Sequence, residues 1–196
     1  MSCCSLLHFL LYPYDCPCHN ANTEWWGNKT CVYDVGVKMS SQIFGSSAAG
    51  QRTSTTWYLP YKDATELLDV ASKLTGLPSS RFEEPQVVRY EMGEQFTWHY
   101  DAIPVSLQKS GGNRLGTLLI YLNTLESKSG GATCFKDLDI QVRPEQGKAL
   151  LFFPCYKDGT PDERTLHCGQ MCSDTKWIAQ IWIHEKDYDA VTVPRD

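Results

Sequence analysis

The sequence predicts a mainly β domain with supporting helices, an antiparallel sandwich or jelly roll. From residue 86 onward, short apolar or alternating segments are separated by turns rich in Gly and Ser, a pattern typical of antiparallel strands. One well-marked helix precedes them, and many short strands after a helix favour an α+β arrangement. The predicted strands cover residues 86–91, 96–100, 115–122, 132–135, 140–143, 149–153 and 177–183.

The predicted helix begins after Asp63, which we expect to be its N-cap because Glu66 follows three residues later. Apolar residues then recur with helical spacing, and Gly76, followed by Leu77 and Pro78, ends the helix. The apolar positions are Leu67, Leu68, Ala71 and Leu74.

Length and charge limit the classes of partner. A chain of 196 residues fits one domain with a real hydrophobic core. The net charge is −5 and the basic residues do not cluster, which argues against nucleic acid or an anionic membrane as the main partner. No apolar stretch approaches the ~20 residues needed to cross a bilayer, so we expect no membrane-spanning segment.

Residues 1–50 differ from the rest of the chain. They hold five of the nine cysteines and end in a small, polar run, so we predict a poorly determined Cys-rich segment and linker, followed by one domain over residues 51–196. Cys16, Cys18 and His19 leave open a zinc site, with free or locally paired thiols as the alternative. Cys168 and Cys172 are near enough in sequence to be bridged if their loop curls.

A His-x-Asp motif at the end of a predicted strand points to a metal site. Residues i and i+2 of a strand share a face, so His99 and Asp101 can converge on one ion while Tyr100 points away. A second imidazole has to come from elsewhere, and His167 is the best candidate. Two His and one carboxylate on one octahedral face suit non-haem Fe(II) oxygenases. Alone, so short a motif also fits an ordinary strand histidine.

Several other blocks accompany this motif in a fixed order. They are Arg-Thr-Ser at 52–54, Gln-Val-Val-Arg-Tyr-Glu-Met-Gly at 86–93, Asn-Arg-Leu-Gly-Thr-Leu-Leu-Ile-Tyr-Leu at 113–122, Gly-Gly-Ala-Thr at 130–133, Gly-Lys-Ala-Leu-Leu-Phe at 147–152 and the segment 167–184. In this order the chain resembles the prolyl 4-hydroxylase family of the 2-oxoglutarate/Fe(II)-dependent oxygenase superfamily. The resemblance implies a double-stranded β-helix core of the cupin-like jelly-roll type.

The resemblance also implies roles for residues of the site. His99, Asp101 and His167 would hold Fe(2+), and the co-substrate 2-oxoglutarate would chelate it. The distal carboxylate of 2-oxoglutarate needs a cation, because burying an unpaired anion is costly. The family pattern gives that position to Lys176 and matches Tyr90 and Thr117 to positions that add hydrogen bonds to the same carboxylate.

Substrate contacts are carried over to Arg114, Trp182 and His184. Because side chains alternate along a strand, Lys176 should lie on the same face of the last strand as Trp182 and His184. We expect all three to face the interior. The alternatives are a surface charge for Arg114 and simple packing for Trp182.

Some positions depart from the family pattern. Phe96 stands where many relatives have Tyr, Ala132 replaces a frequent acidic residue, and the loop from His167 to Lys176 is one residue tighter than usual. These changes leave the metal and 2-oxoglutarate sites intact but bear on prolyl specificity.

The implied reaction couples O2 and 2-oxoglutarate to hydroxylation of peptidyl proline to 4-hydroxyproline, with release of succinate and CO2. The partner is a peptide or protein containing proline, and L-ascorbate is expected to keep the iron reduced. Because halogenating relatives lack the Asp101 carboxylate, hydroxylation is favoured. The alternatives are an oxygenase of the superfamily acting on a small molecule or another side chain, and an inactive binding module. The resemblance favours the endoplasmic reticulum or secretory pathway, although residues 6–12 make a poor signal.

Overall fold

The computed structural model describes residues 7–9, 52–108 and 111–188, which form two antiparallel sheets and one α-helix. The predicted boundary at residue 50 and the zinc site at Cys16, Cys18 and His19 lie outside the described residues. The elements are β1 (Leu7–Phe9), β2 (Thr55–Tyr58), α1 (Thr65–Thr75), β3 (Gln86–Tyr90), β4 (Phe96–His99), β5 (Arg114–Tyr121), β6 (Thr133–Phe135), β7 (Ile140–Val142), β8 (Ala149–Phe152), β9 (His167–Gly169) and β10 (Lys176–His184).

The major sheet has six strands in the order β1-β8-β5-β10-β3-β2, and the minor sheet has four in the order β4-β9-β6-β7. The pairings within both sheets are antiparallel. The chain crosses repeatedly between the sheets, as in a double-stranded β-helix, and the predicted fold class is confirmed. The seven predicted strands are present with ends shifted by one residue or so, whereas β1, β2 and β9 were not predicted.

The major sheet is buried on both faces, which explains why β5 is a nearly continuous apolar run rather than an alternating one. Leu118 and Ile120 pack in one cluster with α1, and Leu119 and Tyr121 pack in a second cluster between the sheets. The second cluster encloses the cavity described below.

Helix α1 closes the outer face of the major sheet with Leu67, Leu68 and Ala71. Its predicted C-terminal end is confirmed, because Gly76 adopts the left-handed conformation with φ 70° and donates its N–H to the Ser72 carbonyl. The predicted N-cap is wrong. Asp63 lies in the preceding 3-10 turn, and the cap position falls to the buried Ala64, whose carbonyl accepts the first helical hydrogen bond.

Among the described residues, no helix has both the length and the apolar character that a membrane crossing requires. The four described cysteines are all free thiols, so the suggested bridge between Cys168 and Cys172 is not formed. Cys172 turns instead toward the β3–β4 turn, where its thiol lies 3.6 Å from the Glu91 carbonyl oxygen.

Candidate active site

Three side chains, two from neighbouring strands and one from the loop that follows the first, meet at one end of a cavity between the sheets. His99 ends β4 and His167 begins β9, and the two are direct Cα partners in the minor sheet. Asp101 follows β4 by two residues. Its Oδ1 lies 3.7 Å from His99 Nε2, and its Oδ2 lies 3.8 Å from His167 Nε2. One ligand atom from each residue lies within 4.8 Å of the others, close enough to share an ion. Tyr100 points outward, as its place in the strand predicts.

Backbone carbonyls orient both imidazoles. His99 Nδ1 lies 2.7 Å from the Thr97 carbonyl oxygen, and His167 Nδ1 lies 2.9 Å from the Thr165 carbonyl oxygen. Because a carbonyl only accepts, each Nδ1 carries the proton and each Nε2 presents its lone pair toward Asp101. This tautomer is the one that metal-binding histidines use.

The protonation states also suit a cation. Desolvation lowers the pKa of His99 to about 4, with the charge of His167 as a further cause, so the ring is neutral at physiological pH. Burial would raise the pKa of Asp101, but the nearby imidazoles, Arg114 and the hydrogen bond from Thr117 outweigh it and hold the pKa below its ordinary value. Two imidazoles and one carboxylate fit a divalent metal with positions left for other ligands.

Thr117 has a contact that the sequence analysis did not anticipate. Its hydroxyl donates a 2.6 Å hydrogen bond to Asp101 Oδ2, and both groups are buried. The structure therefore places Thr117 as a positioning residue for the carboxylate, while its predicted hydrogen bond to 2-oxoglutarate stays a prediction.

Lys176 lines the same cavity and is 2% exposed. Its Nζ lies beside Gly169, two residues along β9 from His167, and we call this part of the cavity its lysine end. Lys176 Nζ donates to the Gly131 carbonyl oxygen at 3.0 Å and sits 4.4 Å from the centre of the Tyr90 ring. Among the described residues, no carboxylate lies within ion-pair distance of this ammonium. Desolvation lowers its pKa to about 8.

The wall around Lys176 includes one residue to which the sequence analysis gave no role. Thr133 lines the cavity, and its hydroxyl lies 2.7 Å from the Tyr121 hydroxyl. Because the Tyr121 hydrogen is directed to the Val142 carbonyl at 3.0 Å, the Thr133 hydroxyl donates to Tyr121 and keeps lone pairs for a donor. The predicted Tyr90 presents its ring to Lys176, and its hydroxyl is hydrogen-bonded by the side chains of Ser54 and Arg52.

The three residues predicted to contact substrate are linked through Glu83. Arg114 makes two hydrogen bonds to the Glu83 carboxylate at 2.7 and 3.2 Å, and His184 Nε2 lies 2.8 Å from the same group. The Arg114 guanidinium also lies 3.6 Å from the centre of the Trp182 ring. Glu83 was missed because it stands outside every recognisable motif, sixteen residues before His99.

Along β10, the alternation of side chains agrees with the cavity lining as far as Trp182. Lys176, Gln180 and Trp182 line the cavity, but the register shifts between Ile183 and His184. His184 lies against Glu83, with only 1% of its surface exposed. The predicted contact of His184 with substrate is not tested by this arrangement and stays a prediction, as do those of Arg114 and Trp182.

Comparison with known proteins agrees with this geometry. Residues 85–184 match the model of the 2OG-Fe(II) oxygenase superfamily, and the chain belongs to that superfamily. The chain is 33% identical over 150 residues to a probable prolyl 4-hydroxylase 4 of Arabidopsis thaliana, covering 64% of this chain and 49% of that protein. It is also 33% identical over 147 residues to prolyl 4-hydroxylase subunit alpha-2 of Gallus gallus, covering 71% of this chain and 27% of the relative. The chain thus spans about half or less of the length of these two relatives.

Two solved structures share the fold. A viral collagen prolyl hydroxylase from Paramecium bursaria Chlorella virus-1, in complex with 2-oxoglutarate, aligns with a TM-score of 0.63 and 23% identity over 78% of this chain and 88% of that one. A prolyl hydroxylase from Trichoplax adhaerens, in complex with a hypoxia inducible factor peptide, aligns with a TM-score of 0.59 and 16% identity over 86% of this chain and 84% of that one. At these identities the likeness concerns the fold.

Proposed function

We propose that the protein hydroxylates peptidyl proline to 4-hydroxyproline, using O2 and 2-oxoglutarate and releasing succinate and CO2. The observation that carries the proposal is one cavity with three metal-ligand atoms at one end and a buried lysine at the other, which among the described residues has no carboxylate within ion-pair distance. The superfamily supplies the class of reaction, and the names of the relatives supply the substrate class.

In this proposal His99, Asp101 and His167 hold Fe(II) through the two Nε2 atoms and the carboxylate. Bound iron supplies the activation of O2 and the oxidising power for the C–H bond. The protein contributes the geometry. The Thr97 and Thr165 carbonyls fix the imidazoles, and the Thr117 hydroxyl fixes the carboxylate.

Lys176 holds the distal carboxylate of 2-oxoglutarate. Its ammonium has three hydrogens, and one of them donates to the Gly131 carbonyl, which leaves two for a carboxylate. In a dry cavity such a charge-assisted hydrogen bond is stronger than a neutral one. Thr133 and Tyr90 line the same cavity, and the Tyr90 hydroxyl can add a hydrogen bond to this carboxylate.

The peptide approaches the metal past Trp182 and Arg114. Trp182 lines the cavity and its indole Nε1 is buried without a hydrogen-bond partner. Arg114 is held across that ring by Glu83, so the guanidinium and the ring form one rigid wall. A flat apolar ring beside a fixed cation suits a prolyl ring flanked by peptide carbonyls, which accept hydrogen bonds.

Succinate release measured against a panel of peptides tests the proposal. We expect release together with a mass gain of one oxygen atom in peptides that contain proline, and neither in matched peptides with alanine at that position. His167→Ala should abolish both, because it removes a metal ligand, while Gln141→Ala on the exposed face of β7 should not.

Two other outcomes would contradict the prolyl assignment. Succinate released without any peptide hydroxylation would favour an oxygenase acting on a small molecule. Phe96 supports that alternative, since its ring stacks on His99 with 3.5 Å between centroids and offers no hydroxyl to a peptide. Absence of a visible charge-transfer band with Fe(II) and 2-oxoglutarate under anaerobic conditions would favour an inactive binding module.

We further propose that L-ascorbate sustains turnover by keeping the iron ferrous and that the protein works in the endoplasmic reticulum or secretory pathway. Both follow from the superfamily resemblance. The second has a direct test, because Asn28 begins an Asn-Lys-Thr glycosylation sequon. If the chain enters that pathway and Asn28 is glycosylated, treatment with a glycosidase should increase its mobility on a gel, and Asn28→Gln should remove the effect.

A further inference from the structure

We propose that Cys134 and Cys168 form a disulfide across β6 and β9 when the protein meets an oxidising thiol pool. The two residues are direct Cα partners in the minor sheet, and both thiols are free and buried. This modification site lies outside the cavity and does not depend on the proposed function.

The hydrogen bonds of the strand pair define the geometry of the two cysteines. Lys136 N donates to Leu166 O at 3.0 Å, and Gln170 N donates to Ala132 O at 2.9 Å. Hydrogen-bonded pairs recur at every second residue of an antiparallel ladder, so the cysteine pair midway between these contacts is also hydrogen-bonded, with Cα atoms about 5.5 Å apart. That Cα separation lies within the range that disulfides use, and the Cβ atoms, about 5 Å apart in such a pair, have to approach by roughly 1 Å for the bond to form. The two thiols are already close enough to share a hydrogen bond.

The cysteine pair faces away from the cavity. Its neighbours on β6, Thr133 and Phe135, point inward, since Thr133 lines the cavity and the Phe135 ring stacks on His167 with 5.5 Å between centroids. Because side chains alternate along a strand, the thiols lie on the outer face of the minor sheet. There the next partner of Cys134 is the exposed Gln141 of β7. A disulfide on that face leaves the side chains of the metal site in place.

Exchange with oxidised glutathione gives a balanced reaction. One cysteine thiolate attacks a sulfur of oxidised glutathione, which forms a mixed disulfide and expels a glutathione thiolate. The second cysteine thiolate attacks the mixed disulfide at the protein sulfur and expels the second glutathione. Two protein thiols lose two electrons and two protons, and the oxidised glutathione becomes two molecules of reduced glutathione. Burial raises the pKa of Cys134 to about 11, so this thiolate is scarce and the exchange is slow.

The rival pairing of Cys168 with Cys172 has worse geometry. The β9 strand holds Cys168 opposite Cys134, whereas Cys172 is bridged to Gly130 through the backbone and turns its thiol toward Glu91 and Glu94 carbonyls. A bond between Cys168 and Cys172 would require β9 to separate from β6.

The test compares the full chain after incubation with oxidised glutathione and after reduction with dithiothreitol. Peptide mapping by mass spectrometry without reduction should find Cys134 linked to Cys168. The oxidised protein should melt roughly 5–10 °C above the reduced protein, since a disulfide restricts the unfolded chain. Cys134→Ala and Cys168→Ala should each remove the link and this difference. The matched control Cys155→Ala, at a buried free thiol elsewhere, should retain both.

Each variant is compared with itself in the two redox states, so a loss of stability from the substitution does not enter the result. Free thiols at both positions after oxidation would overturn the proposal. A link from Cys168 to Cys172, or from either cysteine to the cysteines of residues 1–50, would also overturn it. So would an undiminished melting difference in Cys134→Ala.

Discussion

The two ends of the cavity differ in the sign of the charge that is buried there. At the metal end, Asp101 carries a negative charge, and the three ligand groups come from β4, its following loop and β9. At the lysine end, one ammonium lies among apolar and hydroxyl side chains, with a backbone carbonyl as its hydrogen-bond partner. Each end carries a charge that the protein does not neutralise by itself, and the charges have opposite signs.

This difference shows how one cavity can order a chelating dicarboxylate. The anionic end favours a cation, and the cationic end favours a carboxylate, so a ligand that bridges the metal and Lys176 compensates both buried charges. The metal end depends on several strands keeping their register. The lysine end depends on one side chain, which makes the two ends separable by substitution.

Lys176→Ala should have the largest effect, because it should weaken 2-oxoglutarate binding without changing metal binding. It removes the charged donor, so we expect the concentration of 2-oxoglutarate needed for half-maximal turnover to rise roughly 30- to 100-fold. Metal affinity measured without 2-oxoglutarate should not change. Lys136→Ala, at an exposed lysine in the turn after β6, is the control. Equal loss of metal binding in Lys176→Ala would show that the two ends are not independent.

Thr117→Val should have the converse effect, of about 10-fold, on metal affinity. The substitution keeps the shape of the side chain but removes the hydroxyl that donates to Asp101 Oδ2. Thr117→Ser retains the donor and should bind metal like the wild type in a calorimetric titration with Mn(II). If Thr117→Val instead weakened only 2-oxoglutarate binding, Thr117 would be a co-substrate contact, as the family pattern predicts.

The smallest effect concerns pH. In the ligand-free protein, desolvation lowers the pKa of Lys176 to about 8, and only the protonated form pairs with a carboxylate. Affinity for 2-oxoglutarate should therefore be constant below about pH 7 and fall as pH rises through 8, being about fourfold weaker at pH 8.5 than at pH 7. Anaerobic titrations of the metal-loaded protein measure this directly. Lys176→Ala should lose this pH dependence, and a wild-type affinity that rises with pH would contradict the assignment.

The sequence predicts that His99 and Asp101 lie close together because the relevant feature is local. Alternation along one strand places His99 and Asp101 on the same side, whatever the rest of the fold does. The partner imidazole is a long-range feature, since β9 has only three residues and no period of its own. His167 was therefore reached through the order of the motifs rather than through any pattern around it.

The same limit explains what sequence reasoning missed. Glu83 contacts Arg114 and His184, which lie 31 and 101 residues away in the sequence. No short sequence pattern predicts such contacts. The irregular pairing of β10 with β5, in which Leu115 is skipped between Gly116 and Arg114, cannot be seen in a run of alternating residues. Thr133 was visible within a motif, but its hydrogen bond with Tyr121 becomes apparent only when β5 and β6 lie side by side.

The Lys176 ammonium is held by a main-chain carbonyl, and this limits which residue can stand at the position that supplies the carbonyl. Gly131 supplies the carbonyl that accepts from Lys176, and it does so with φ 74°. A Cβ at this position would come within 2.8 Å of Leu125 and 3.4 Å of Lys176 itself. Any side chain there would strain the backbone and crowd the cation at once. The carbonyl that holds the ammonium is therefore positioned at a residue where only glycine fits without strain.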